Sequence, residues 1–204
     1  ILPSHNEGHI ENVKFSPNGE LLVYLDFSIE NCKIRIINVK SGKNVHNIEC
    51  QKSDYYVALD WYTDNEIFYS TSTSESLPLE LRLYNIDTKE QKPVTNPVVG
   101  GRGDYFVRAC NENKSFILRN IDSLTVQIVS FDIKSKQEKL IMEINDDSVV
   151  SVDWLPNCES LAIFLKTKGI YALNMGDGKL TAINENIRGI KSLRVVKDHL
   201  YVAQ

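Results

Sequence analysis

Short apolar runs alternate with polar turns along the whole chain, and the runs have the length and alternation of strands. Val13-Lys14-Phe15 ends at Ser16-Pro17-Asn18-Gly19, where proline presets φ and Asn-Gly tolerates the left-handed backbone of a tight reversal. The apolar stretch Leu21 to Leu25 follows. Next comes Ile34 to Lys43, in which Ile34 and Ile36 alternate with Lys33 and Arg35, a period of two that turns one face toward a neighbouring layer. Ser41-Gly42-Lys43 then turns the chain into a short polar segment. No window carries a sustained 3.6-residue period with caps, so the pattern predicts strands throughout.

This set of four strands recurs. The opening triplet returns as Leu59-Asp60-Trp61, Val107-Arg108-Ala109 and Val152-Asp153-Trp154, so that Phe15, Trp61, Ala109 and Trp154 are separated by 46, 48 and 45 residues. The end of the third strand supplies a second landmark: Asn38, Asn85, Asp132 and Asn174 are separated by 47, 47 and 42 residues. Two landmarks holding one period through four copies predict an all-β propeller of four-stranded antiparallel blades. The expected blades are 10–51, 55–96, 104–145 and 149–184, with an incomplete blade over 188–204. Four and a half blades do not readily close a ring, which leads us to expect a partial propeller belonging to a ring of six to eight blades. A four-bladed ring with an extra hairpin is the structural alternative.

Composition narrows the function classes. The 204 residues are 42% apolar and 25% charged with a net charge of −4, as expected of a globular chain without a nucleic-acid surface. No stretch approaches 18 uncharged apolar residues, so no membrane span is expected. Cys32, Cys50, Cys110 and Cys158 are scattered in a chain long enough to build a core unaided, and the expectation is four buried thiols in the cytoplasm. Cys32 and Cys50 flank one hairpin and are candidate cross-strand neighbours, either as a redox pair or as two half-buried thiols.

Candidate chemistry is sparse. No G-x-S-x-G elbow is present, His5, His9, His46 and His199 have no metal-ligand spacing, and the cysteines form no C-x-x-C, so we expect no catalytic residue, metal or cofactor. Gly100-Gly101-Arg102-Gly103 lacks the context of a phosphate loop and reads as a connection between blades. Arg102-Gly103-Asp104 reads as the turn into the third blade, and the sequon Asn113-Lys114-Ser115 falls in another turn. Trp61 and Trp154 read as fillers between twisted blades. Asp60 and Asp153, at equivalent positions beside the two tryptophans, are the channel candidates; their competing role is a hydrogen-bonded tie between blades.

The segment Val13 to Tyr24, with its Phe-Ser-Pro-Asn-Gly turn, resembles the repeat of TolB-type and WD-type propellers, although Asn38-Val39, Asn85-Ile86, Asp132-Ile133 and Asn174-Met175 stand where a Trp-Asp pair would. A longer resemblance is to the propeller domain of prolyl oligopeptidase and oligopeptidase B serine peptidases. It is carried by Trp61 with Asp64 to Tyr69, by Leu77-Pro78 and Leu81 to Asn85, by Asp104 to Val107 with Ser115 to Leu118 and Thr125 to Ile128, and by Leu193 to Val202. That resemblance implies a non-catalytic ring that encloses peptide substrate for an α/β-hydrolase domain on further sequence, with Ser, Asp and His located there. The alternative is an independent scaffold that binds a protein or peptide.

Overall fold

The computed structural model describes residues 9–27, 32–50, 57–72, 74, 76–111, 113–135, 137–145 and 149–203, with the side chain of Val150 left aside. Among the described residues every regular element is a strand. The first sheet comprises β1 (His9–Phe15), β2 (Leu21–Phe27), β3 (Cys32–Asn38) and β4 (Asn44–Cys50). The second comprises β5 (Leu59–Trp61), β6 (Glu66–Thr71), β7 (Glu80–Asn85) and β8 (Gln91–Pro93). The third comprises β9 (Gly103–Asn111), β10 (Lys114–Asn120), β11 (Thr125–Asp132) and β12 (Gln137–Asn145). The fourth comprises β13 (Val149–Trp154), β14 (Ser160–Leu165), β15 (Gly169–Asn174) and β16 (Leu180–Asn184), and a hairpin of β17 (Ser192–Val196) and β18 (His199–Ala203) follows. Each sheet is an antiparallel meander in chain order.

The first strands of successive sheets are neighbours: β1 meets β5, β5 meets β9, β9 meets β13 and β13 meets β17. The sheets are therefore radially arranged blades, numbered 1 to 4 here, with the final hairpin beginning a fifth. Burial follows strand position. Second strands are sandwiched on both faces, so β2, β6, β10 and β14 are buried almost throughout and read as continuous apolar runs, whereas β8 and most of β12 and β16 are exposed and polar.

The apolar clusters lie between blades. Val23, Leu25, Ile34 and Ile36 of blade 1 pack on Leu59, Trp61, Ile67 and Tyr84 of blade 2. Ala58, Phe68, Leu81 and Leu83 meet Val107, Ile117, Val129 and Phe131. Phe116, Leu118 and Ile128 meet Trp154, Leu161 and Ile163, and Ala162, Phe164 and Ile170 meet Ile190 and Leu193. The alternation of Ile34 and Ile36 with charged residues thus has its expected consequence, one face of β3 laid against the next blade.

The third-strand landmark has a local cause. Asn38 Oδ1 accepts the Ser41 N–H (2.9 Å), Asn85 Oδ1 those of Asp87 and Thr88 (3.1 and 3.0 Å), Asp132 Oδ1 those of Lys134 and Ser135 (2.8 and 2.9 Å), and Asn174 Oδ1 those of Gly176 and Asp177 (2.8 and 3.2 Å). A short side-chain acceptor is needed wherever the chain turns from third to fourth strand. The Ser135 and Lys134 N–H groups also hold the Asp132 carboxyl below its ordinary range.

The cysteines depart from expectation. All four are paired, Cys32 with Cys50 and Cys110 with Cys158, so the four-thiol reading is corrected. Cys32 and Cys50 are indeed directly opposite in the β3–β4 register, with Cα atoms 5.1 Å apart, and Cys110 lies 5.9 Å from Cys158 across the junction of blades 3 and 4. Both separations suit a bridge. Periodicity located the strands but carried no information on which cysteines the blade packing brings together.

Candidate functional site

The two channel candidates stand on innermost strands, and the fold adds three cations to them. Lys14, Asp60, Arg108, Asp153 and Arg194 occupy one equivalent position in successive first strands, immediately before Phe15, Trp61, Ala109, Trp154 and Val195. Their charges alternate in sign. Lys14 Nζ lies 3.7 Å from Asp60 Oδ1, Arg108 Nη1 3.1 Å from the same oxygen, Arg108 Nε 3.5 Å from Asp153 Oδ1, and Arg194 Nη1 3.9 Å from Asp153 Oδ2. Opposite charges at one repeat position attract across each junction, where five like charges would repel.

Backbone groups complete the ladder. Ala109 N–H donates to Asp60 Oδ2 (3.3 Å) and Val195 N–H to Asp153 Oδ2 (3.0 Å), so each carboxylate ties its own blade to the one after it. The tryptophans work in the other direction. Trp61 Nε1 donates to Lys14 O (3.1 Å) and Trp154 Nε1 to Arg108 O (3.3 Å), each reaching back to the preceding blade. Blades 2 and 4 therefore hold both neighbours, while blade 1 presents a carbonyl and a cation and blade 3 a carbonyl, an N–H and a cation.

Burial makes this electrostatics consequential. The side chains of Lys14, Asp60, Arg108 and Asp153 are 15, 11, 9 and 13% exposed. Burial of Lys14 outweighs the pull of Asp60 and lowers its ammonium pKa from 10.5 to about 8, with the Arg108 charge acting in the same direction. Arg108 also lies over the Phe106 ring, 5.6 Å from its centre.

The other landmark residues fall where their blade dictates. Trp61 and Trp154 are buried, and Ala109 packs against the blade 2–3 cluster. Phe15 is 62% exposed, because this position projects toward the preceding blade and no described sheet packs on that side of blade 1. A second charged cluster lies in blade 3: Arg119 Nε donates to Asp104 Oδ1 (2.6 Å) and Arg119 Nη1 to Glu138 Oε2 (2.6 Å), and Thr95 Oγ1 donates to Asp104. Burial raises the Asp104 pKa despite those bonds. With Asp104 wholly buried, Arg102-Gly103-Asp104 is not displayed as a tripeptide; Gly103 sits so close to Leu79 that a Cβ there would meet backbone at 2.4 Å.

Of the histidines, His9 is 3.1 Å from Glu11 and stacked on Phe27, His46 is stacked on Tyr84 and His199 lies near Tyr201, while His5 is outside the described residues. Among the described residues no three His, Cys, Asp or Glu side chains gather as a metal site, and no helix is long and apolar enough to cross a membrane. The cations of the ladder are what sequence reasoning missed. Their signal was available in the same alignment of repeats, as a charge that changes sign from copy to copy beside the tryptophan position.

Radial four-stranded meanders tied through their inner strands define a β-propeller. The profile of the anaphase-promoting complex subunit 4 WD40 domain matches residues 1–64, and no curated protein sequence matches the chain. Among solved structures the chain is similar to a prolyl endopeptidase studied for inter-domain dynamics (TM-score 0.71, 13% identity, 98% of this chain and 32% of that one). It is also similar to TolB from Acinetobacter baumannii (0.62, 12%, 85% and 43%) and to a chain of the mitotic checkpoint complex (0.64, 18%, 93% and 55%). It thus spans a third to just over half of the length of these three. At such identities the likeness is one of fold, shared by the peptidase, TolB and WD40 neighbours.

Proposed function

We propose that the chain is the non-catalytic propeller of a serine peptidase of prolyl oligopeptidase type, a ring part that encloses peptide substrate for a hydrolase domain on sequence outside these 204 residues. The observation that carries this reading is the peptidase match, which takes in 98% of the chain at a TM-score of 0.71. The ladder supports it: Asp60 and Asp153 spend their oxygens on Arg108, Lys14, Arg194 and backbone N–H groups of the next blade, an arrangement suited to rigidity rather than proton transfer. A rigid ring admits a short flexible peptide and excludes a folded protein at the same chemical site.

The test uses the protein that carries this propeller. It should react with a fluorophosphonate serine probe and cleave a short chromogenic peptide, while the same cleavage sequence inside a folded protein survives; residues 1–204 alone should do neither. Absence of probe labelling on the whole protein would overturn the peptidase reading. It would favour the second reading, a protein-binding scaffold, which rests on the WD40 profile over residues 1–64 and on the mitotic checkpoint neighbour. A cytoplasmic location, as expected from the sequence, would keep Cys32, Cys50, Cys110 and Cys158 reduced, whereas an oxidising compartment would keep both bridges closed. Alkylating free thiols in cells before lysis, then mapping them by mass spectrometry, tests that assignment.

A further inference from the structure

The two disulfides differ in what surrounds them. Cys32 is 2% exposed within the blade 1–2 apolar cluster and the half-buried Cys50 packs against it, as the half-buried Cys110 packs against the blade 3–4 cluster, so the difference rests on Cys32 and Cys158; the Cys32–Cys50 bond joins adjacent strands of one blade. Cys110–Cys158 instead crosses from the end of β9 in blade 3 to the first turn of blade 4. Cys158 lines an open cleft of about 600 Å³ between those blades, with Lys114, Phe131, Lys139, Trp154 and Glu159 around it. Solvent access is what allows a thiolate to reach a disulfide sulfur.

Cys158 also occupies a position where the backbone favours glycine. Leu155-Pro156-Asn157-Cys158 repeats Ser16-Pro17-Asn18-Gly19, and Cys158 has φ +52° where Gly19 has +75°. A side chain in the left-handed region is disfavoured, so the covalent bond holds a turn that its own residue type resists. The same pair of blades is joined independently by Trp154 to the Arg108 carbonyl, by Lys139 Nζ donating to Gly176 O (2.8 Å), and by the Phe116–Trp154 ring contact. Losing the disulfide therefore loosens this junction without dismantling it.

We propose that Cys158 is a thiol–disulfide exchange site, at which a small dithiol entering the blade 3–4 cleft reduces Cys110–Cys158 and unlocks that junction. One thiolate of the dithiol attacks Cys158 Sγ; the bond to Cys110 breaks, and its electron pair leaves on Cys110 Sγ, which takes a proton. The second reagent thiol attacks the reagent sulfur of the mixed disulfide, closing the oxidised reagent and releasing Cys158 as a thiol. Two electrons pass from dithiol to protein. The site reads the redox state of its surroundings in a way that Cys32–Cys50 does not.

The test treats the oxidised protein with graded dithiothreitol, quenches with acid, alkylates and locates the labelled cysteines by mass spectrometry, with amide hydrogen exchange run in parallel. Cys110 and Cys158 should be labelled roughly tenfold or more faster than Cys32 and Cys50, and exchange should rise at the end of β9 and in the β13–β14 turn before it rises elsewhere. Equal rates, earlier reduction of Cys32–Cys50, or labelling of Cys110 and Cys158 before reductant is added would overturn the proposal. A double variant, Cys110→Ser with Cys158→Gly, retains a turn-compatible residue. It should reproduce the exchange pattern of the reduced junction and show no further change there with reductant. Junction exchange that is unchanged by reduction in the wild type would also overturn it.

Discussion

At the junction of blades 1 and 2 an indole reaches back to a carbonyl, the Asn12 side chain donates to Val57 O (3.1 Å), and the Asn18 N–H is held by Asp64 of the neighbouring turn (2.8 Å). At the junction of blades 2 and 3 the reach is forward: Asp60 takes the Ala109 N–H and the Arg108 guanidinium, and Phe68 meets the edge of Phe131. Junction 3–4 repeats the first kind, with a disulfide in the turn region where blades 1 and 2 use a hydrogen bond. Junction 4–5 repeats the second, with Val195 N–H on Asp153 and a reciprocal Ser151–Leu193 pair. The sequence period is one blade, but the pattern of ties between blades repeats every two. A charge ladder imposes this, because neighbours at one repeat position must differ in sign to attract.

The largest effect is expected of Asp60→Ala, which leaves the buried Arg108 guanidinium with Asp153 alone and frees the Ala109 N–H. Breaking a buried pair costs about 3–5 kcal/mol, and urea unfolding should show a loss of that order, with Asp60→Asn recovering part of it. A loss below about 1 kcal/mol would reduce the ladder to a surface ion pair. Replacing Trp154 by Ala tests the other kind of junction, with an expected cost of about 3–5 kcal/mol from cavity and transfer terms. Trp154→Phe separates the indole bond from the packing, at about 1 kcal/mol.

Lys14 sharpens the electrostatic side. Its ammonium titrates near 8 in the folded chain and near 10.5 when unfolded, so between those values the unfolded chain binds more protons and stability must rise with pH. The cost of the buried charge is fully present below about pH 8. Wild type should gain up to about 3 kcal/mol relative to Lys14→Met between pH 7 and pH 10, read from urea midpoints of the two proteins. A constant difference across that window would contradict the burial of this amine. The smallest effect belongs to the turns: Asn174→Ala removes one acceptor for two exposed N–H groups and should cost about 0.5–1 kcal/mol with both kinds of junction unchanged by hydrogen exchange.

Much of the fold was legible because a blade is a local object. Each strand pairs with its sequence neighbour, so the apolar runs, the Asn-Gly turn and the recurring Asn38, Asn85, Asp132 and Asn174 encode their structure within about 45 residues. The inner-strand site was half legible. Asp60 and Asp153 stand out beside the tryptophans, whereas Lys14, Arg108 and Arg194 are hidden because their shared position holds no constant residue type or charge sign. Phe15 illustrates the limit from the other side: it shares the landmark with Trp61, yet burial at that position depends on a neighbouring blade.

The sequence by itself determined the strands, their meander order and the turns, since hydrophobic alternation and short-range hydrogen bonding act over neighbouring residues. Only the tertiary structure decided that Cys110 meets Cys158, that Asp60 is shared by Lys14 and Arg108, and that Lys14 loses its ordinary basicity. Those outcomes depend on distances between residues about one repeat apart in the chain, and on water excluded by blades packing face to face.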